Sequence, residues 1–242
     1  MRILISTPCA GGNLTDGYSG SLYSTFGYMR NHHPDVEINI HFQGKESLIH
    51  RGRNRAAKAM IDGGYDKLFS IDADIVFTPE DFCRIALSDH DVIGGLYPIK
   101  SFPIVANFNP LPEKGTEFFS SHRGIDYDAW GKFVHKYADS EGLVEVRHVP
   151  TGFMCVRKEV FAKLSHTVEV YGEFDSSSGQ RTGFFHFYPS EVSGGSLLSE
   201  DWGFSELAAE AGFKVYLDTK VTLGHIGSHT YRLGQFFGEA QD

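Results

Sequence analysis

The chain has 242 residues, 41% of them hydrophobic and 22% charged, with a formal charge of −9. This is enough apolar material for one sizeable core, while the acidic balance argues against an extended nucleic acid as partner, because Lys and Arg supply most of the affinity for that backbone. Three scattered cysteines, Cys9, Cys83 and Cys155, do not make a disulfide framework and fit a reducing, cytoplasmic setting, and no apolar run approaches the roughly twenty residues that cross a bilayer.

Residues 2–6 form the first predicted strand; its apolar run stops at Pro8, and glycines follow, unlike a signal peptide. A helix over 18–31 follows the Gly11-Gly12 turn, a second strand covers 37–42, and a helix over 47–61 ends at Gly63-Gly64. The third strand is 67–71. Strands alternating with helices through the first hundred residues predict a mostly parallel α/β sheet flanked by helices. Thr78 and Pro79 read as the cap and first position of the next helix, and 91–96 as a further strand. The middle, 98–145, is rich in Pro, Gly and aromatics without periodicity and reads as irregular loops and β-ribbon. Beyond it come a strand at 145–149, a turn at Thr151-Gly152-Phe153 and a helix at 157–164. Residues 172–198, with Ser176-Ser177-Ser178-Gly179 and Ser193-Gly194-Gly195-Ser196, read as a mobile loop able to act as a lid. A helix over 200–211 stops at Gly212, and 214–217 is the last short strand. No linker or repeat divides the chain, so a single domain over 1–242 is expected.

Two carboxylates, Asp72 and Asp74, close the third strand. Alternate residues on extended backbone share a side, so both can converge on one hard cation. They do so at the C-terminal end of a parallel strand, where open sheets collect ligands. Later in the chain Ser199-Glu200-Asp201-Trp202 opens a helix, and His225 lies in Leu223-Gly224-His225-Ile226-Gly227. Together these offer a metal, a third ligand and a base. Arg51, Arg53, Arg55 and Lys58 add a small electropositive pocket suited to a diphosphate. Plainer readings stand beside each: turn residues for the aspartates, a helix cap for Ser199 to Asp201, a solvated helix face for the cations, and core packing for Phe184, Phe185, Phe187, Tyr188 and Trp202.

Taken in order, Thr7-Pro8 after the opening strand, Arg53-Asn54, Asp72-Ala73-Asp74, Thr151-Gly152-Phe153, Ser199-Glu200-Asp201 and the late His225 resemble the nucleotide-sugar glycosyltransferases of GT-A fold. The resemblance is strongest to those related to the large family-2 group, and it spans roughly residues 2–229. It implies a Rossmann-like domain with 1–100 as the nucleotide-binding part and 101–242 as the acceptor side. The implied reaction moves a sugar from a nucleotide-diphosphate donor, a UDP-sugar, to a hydroxyl on a glycan or small-molecule acceptor. Mn²⁺ or Mg²⁺ would bridge the phosphates, bound by Asp74, by Asp72 (or Asp72 on the ribose) and by His225, with His229 as the alternative histidine. An imidazole among carboxylates leans toward Mn²⁺, and metal affinity without nucleotide should be low. Thr7 and Pro8 would border the base, Arg53 and Asn54 the donor, and Thr151, Gly152, Phe153 and Trp202 the acceptor. Asp201 would be the base of an inverting transfer, kept ionised by its place in the first turn of a helix, with Glu200 orienting the acceptor or the helix start.

Two other classes fit parts of the pattern. Asp72-Ala73-Asp74-Ile75-Val76 matches the short nucleophile motif of haloacid-dehalogenase-like phosphatases, with Asp72 attacking phosphorus, although that motif usually ends a first strand. A non-catalytic domain that holds nucleotide or glycan is the other.

Overall fold

The computed structural model describes residues 1–44, 46–101, 105, 108–118, 125, 127–175, 179–193, 195–227 and 230–232. The first half alternates strand and helix as its pattern requires: β1 (Arg2–Cys9), α1 (Asp16–His32), β2 (Glu37–Gly44), α2 (Ile49–Asp62), β3 (Lys67–Ile71), a two-residue β4 (Ile75–Val76), α3 (Pro79–Ala86) and β5 (Val92–Gly95). Thr15 and Thr78 cap α1 and α3 through their side chains, and Thr78 and Asp81 form a reciprocal capping box with Pro79 in the first turn. The second half contains β6 (Asn109–Pro110), a 3-10 turn at Thr116–Phe118, α4 (Tyr127–Tyr137), β7 (Leu143–His148), β8 (Phe153–Arg157), α5 (Lys158–Leu164), β9 (Val170–Asp175), β10 (Gln180–Phe185), β11 (Val192–Ser193), β12 (Ser196–Leu197), α6 (Glu200–Glu210), β13 (Val215–Asp218), β14 (Gly224–Ile226) and β15 (Thr230–Arg232).

Eight strands form one sheet in the order β2-β1-β3-β8-β5-β13-β7-β6. β1 is parallel to β2 and β3, and β13 to β5. β8 runs antiparallel between β3 and β5, so β2, β1, β3, β5 and β13 all point the same way. Every residue of β3 is buried, as expected of a central strand covered on both faces. In β1, Ile3 and Ile5 face a core shared with Tyr18, Leu22 and Phe82 of α1 and α3. Leu4 faces the opposite layer, with Ala56, Ala57 and Met60 of α2 and Phe161 and Phe204 beyond. The period of two along the strand therefore divides the core into two layers. Among the described residues no helix is long and apolar enough to cross a membrane.

The fold departs from expectation in several places, among them β8, a central strand between residues read as a turn and the start of a helix. The middle segment is not all loop and ribbon: α4 buries Trp130 and Phe133 against Phe108. Its aromatic stripe at 130, 133 and 137 is helical in spacing, but Gly131 and its short length hide it. Within 172–198, β9 and β10 pair in full antiparallel register, Val170↔Phe185 to Asp175↔Gln180, and β11 pairs with β12. The described part of that segment thus holds two hairpins joined by irregular backbone at 186–191, where Phe187 and Tyr188 are buried in the core; 176–178 and 194 lie outside the described residues. Lastly, β15, β14 and β4 form a small sheet of their own, which brings β14 to the residues just after β3.

Candidate active site

β3 delivers its acidic pair to the C-terminal edge of the sheet, where the backbone turns sharply. The Asp72 N–H donates to the Gly152 carbonyl (2.9 Å), and Ile75 N–H donates back to the Asp72 carbonyl (3.1 Å). The Ala73 carbonyl accepts from Thr15 N–H (3.0 Å) and Thr15 Oγ1 (2.9 Å). The Asp74 carbonyl accepts from Ile226 N–H (2.8 Å). This turn sends the two carboxylates to different partners. Asp72 Oδ1 lies 2.6 Å from Arg53 Nη2. Asp74 Oδ2 lies 2.5 Å from Lys100 Nζ, and its Oδ1 lies 3.5 Å from His225 Nε2. The simple alternation expected of an extended backbone is thus interrupted, and among the described residues no three His, Cys, Asp or Glu side chains gather tightly enough to hold a metal alone.

His225 sits on β14, paired with Ile75. Its Nδ1 is 2.9 Å from the Pro98 carbonyl, which has only lone pairs to offer, so Nδ1 carries the hydrogen. Nε2 is then the nitrogen that faces Asp74 Oδ1, donating a hydrogen to it when the ring is protonated and offering a lone pair when the ring is neutral. The ring edge rests on Tyr97, with centroids 5.1 Å apart. Burial pushes the Asp74 carboxyl up, but hydrogen bonds from His225 and Lys100 outweigh it and hold the group below the usual carboxylate range. His229 lies outside the described residues.

The wall beside Asp72 is made by Arg53 and Gly152. The Arg53 side chain is 1% exposed; among the described residues its bond to Asp72 is the one it makes, and its Nε and Nη1 have no partner. A Cβ on Gly152 would lie 2.4 Å from Tyr97 Oη and 2.8 Å from Asp72 Oδ2, so only glycine allows this turn to press against both. Gly152 N–H also donates to Tyr97 Oη (3.1 Å). Tyr97 is held well above its ordinary pKa by burial and by the charges of Asp72 and Asp201, which puts its hydroxyl between the two acidic motifs. Burial and the adjacent Asp201 raise the Glu200 carboxyl, with Arg53 opposing them. Asp201 Oδ1 accepts from Ser199 Oγ and from Trp202 N–H (2.9 Å). Trp202 lies flat on His148, centroids 4.9 Å apart and planes 10° from parallel. Glu206 Oε1 (2.7 Å) and Asn109 Nδ2 (3.1 Å) fix the His148 ring from either side.

The other candidates divide between the cleft and the core. Pro8 joins Asp72, Asp74, Glu46, Ser47 and Gly52 in lining a cleft of about 270 Å³. Thr7 is enclosed, its hydroxyl bonded to Tyr18. Asn54 is buried with its carboxamide turned to Tyr188 N–H (3.0 Å), Tyr171 Oη (3.3 Å) and His186 Nδ1 (3.4 Å), where it pins the segment after β10 to α2. Thr151 is buried. Phe153 packs between Phe69 and Phe77 in the core.

The electropositive pocket does not form. Arg51 and Arg55 each reach Glu46 at 2.7 Å, Arg55 also binds Glu173, Lys58 binds Asp62 (3.0 Å), and Arg53 binds Asp72. Glu46, a residue that nothing in its local sequence marks, is the hub. The hydrogen bond from Arg51 outweighs burial and, with Leu48 N–H and Arg55, holds its carboxyl down to about 2. A carboxylate depressed in the native state stabilises the fold above its unfolded pKa and loses that contribution as pH falls through the native value. Urea unfolding from pH 6 to pH 2 should therefore show wild-type stability draining below about 4.5. Glu46→Gln should start lower and fall less over the same window; parallel curves would remove Glu46 from this role.

Lys100 and Tyr97, also missed, could have been found from position alone: they follow β5 at the same sheet edge as Asp72 and Asp74. His148 gives no such signal, since only the stack on Trp202 relates it to the site.

No protein-family model and no curated protein sequence matches this chain. Among solved structures it is similar in fold to A197 from STIV: 16% identity, TM-score 0.53, covering 94% of this chain and 86% of that one. Looser superpositions are with the inositol-1-phosphate CTP transferase from T. maritima (11% identity, TM-score 0.43, covering 93% and 88%) and with a glycosyltransferase involved in glycosylation of the major capsid of PBCV-1 (15% identity, TM-score 0.26, covering 43% and 56%).

Proposed function

We propose that this chain is a metal-dependent glycosyltransferase of GT-A type, related to family 2, that moves a sugar from a UDP-sugar to an acceptor hydroxyl with inversion. The observation that carries the reading is the facing pair of Asp74 Oδ1 and His225 Nε2, 3.5 Å apart, with the other imidazole nitrogen tied to the Pro98 carbonyl. With the ring neutral, the two are lone-pair donors face to face, one with its tautomer fixed from behind, the kind of donor set that takes a cation between them. A carboxylate oxygen and an imidazole suit Mn²⁺ better than Mg²⁺, and with two donors the protein leaves most of the coordination to the phosphates and water. When bound, the ion neutralises charge developing on the departing diphosphate.

The chain's own residues then divide the work. Pro8, Ser47 and Gly52 bound a cleft whose 270 Å³ or so suits the diphosphate portion of a donor more than the whole molecule. Arg53 fixes Asp72 toward that cleft, where its outer oxygen reaches the ribose or the metal. Asp201 takes the proton from the attacking hydroxyl. Glu200, whose charge interacts with that of Arg53, orients the acceptor, and the face of Trp202 turned away from His148 stacks on a sugar ring.

A thermal-shift panel of nucleoside diphosphates and nucleotide sugars, each with and without Mn²⁺, tests this directly, since a ligand at 100 times its Kd adds about 2.7 kcal/mol to native stability. One nucleotide that raises the melting temperature only with Mn²⁺ is expected, with uridine favoured. No shift with any nucleotide, together with phosphate release from simple phosphoesters, would transfer the site to the phosphatase chemistry of Asp72.

A further inference from the structure

Around the cleft, Arg51, Arg55 and Lys58 are engaged by carboxylates that serve the fold, and the buried Arg53 by Asp72. Lys100 differs, because its carboxylate is Asp74. Its Nζ lies 2.5 Å from Asp74 Oδ2, the oxygen that His225 does not face. Both side chains are about one-third exposed, 36% and 31%, so the pair is in contact with water and loosely held. The short run Tyr97 to Lys100 also supplies the ring edge against His225 and the Pro98 carbonyl that orients it. One segment thus touches both halves of the Asp74–His225 pair.

We propose that Lys100 is a transferable counter-charge: its ammonium holds Asp74 in the free protein and moves to the diphosphate of an arriving donor, clearing Asp74 for the metal. This rests on the metal-site reading given above. A divalent ion at Asp74 would bring like charge against the ammonium at contact distance, so without nucleotide the two compete for one carboxylate. A diphosphate offers the ammonium a denser set of anionic acceptors, and once Lys100 has turned to it the carboxylate is free. Metal and donor then bind cooperatively, and by linkage each raises the affinity of the other by the same factor. The low metal affinity expected of the nucleotide-free protein thereby gains a cause within this chain.

The experiment measures Mn²⁺ binding by the electron paramagnetic resonance of free Mn²⁺, and UDP binding by calorimetry at saturating Mn²⁺, on the full chain. Lys100→Met, which keeps the aliphatic stem, should bind Mn²⁺ alone more tightly by on the order of tenfold, bind UDP more weakly, and show a smaller coupling between the two. Lys100→Arg, which keeps the charge, should leave Mn²⁺ binding as weak as in the wild type. Circular dichroism checks that both variants fold. Unchanged or weaker Mn²⁺ binding by Lys100→Met would overturn the proposal while leaving the metal site standing. Asp74→Asn separates the two failures: wild-type Mn²⁺ binding by that variant would remove the metal site and this inference with it.

Discussion

Asp72→Ala should lower folding stability by about 3–5 kcal/mol, the usual cost of stripping one partner from a buried ion pair, whereas Asp74→Ala should cost no more than about 1 kcal/mol. The two aspartates are one residue apart and equally exposed, 30% and 31% on their side chains, so the difference comes from what each one neutralises. The Arg53 side chain is 1% exposed and two of its nitrogens already lack partners. Removing Asp72 takes the hydrogen bond that Arg53 makes among the described residues and leaves a guanidinium in the core offset chiefly by the charge of Glu200. Asp74 is paired with a lysine about one-third exposed, which water can solvate. Urea denaturation of both variants without metal or nucleotide makes the comparison, and equal losses would refute it. An inactive Asp72→Ala enzyme would therefore say little about metal ligation, because it would be partly unfolded. Asp74→Ala is the informative substitution for that question.

Asp201→Asn is expected to lower the rate of transfer by about 10²–10⁴-fold, the range that a positioned general base contributes, while UDP and Mn²⁺ affinities stay at wild-type values. The isosteric amide keeps an oxygen to accept from Ser199 Oγ and Trp202 N–H, so the start of α6 should survive the change. A loss confined to kcat would mark an interaction made in the transition state rather than in the bound complex. Retained turnover would pass the role to Glu200, whose carboxyl is raised by burial and by Asp201. The pH profile distinguishes them: a rate limited by deprotonation of Glu200 would still be climbing with pH above the ordinary carboxylate range.

The elements that later support the cleft were legible because their chemistry is local. The short apolar runs of β1 and β3 identify strands, and the Thr78-Pro79 capping signal starts α3 at the residue it should. Asp72, Asp74, Glu200 and Asp201 stood out for the same reason, each next to the end of a recognisable element. What could not be read was pairing across the chain. Arg51 and Arg55 look like free cations until Glu46 and Glu173 are brought to them. Thr7 and Phe153 adjoin site residues in sequence, yet one bonds Tyr18 and the other fills the core, because adjacent residues on a strand face opposite layers. The hairpin of β9 and β10 was obscured by its glycine and serine content, which speaks for loops wherever cross-strand pairing is not known in advance.

The small sheet of β4, β14 and β15 has a consequence for how the site comes into being. Asp74 and His225 are separated by about 150 positions, and loop closure over such a distance is entropically late. The larger sheet is complete once β13 has docked, and β14 is then added edge-on through Ile75 and Asp74. A nascent or clipped chain that ends just before β14 would keep every strand of the larger sheet and lack half of the Asp74–His225 pair. Such a species would have the outward shape of the domain without its imidazole, so correct folding by size or helix content would not certify a competent site.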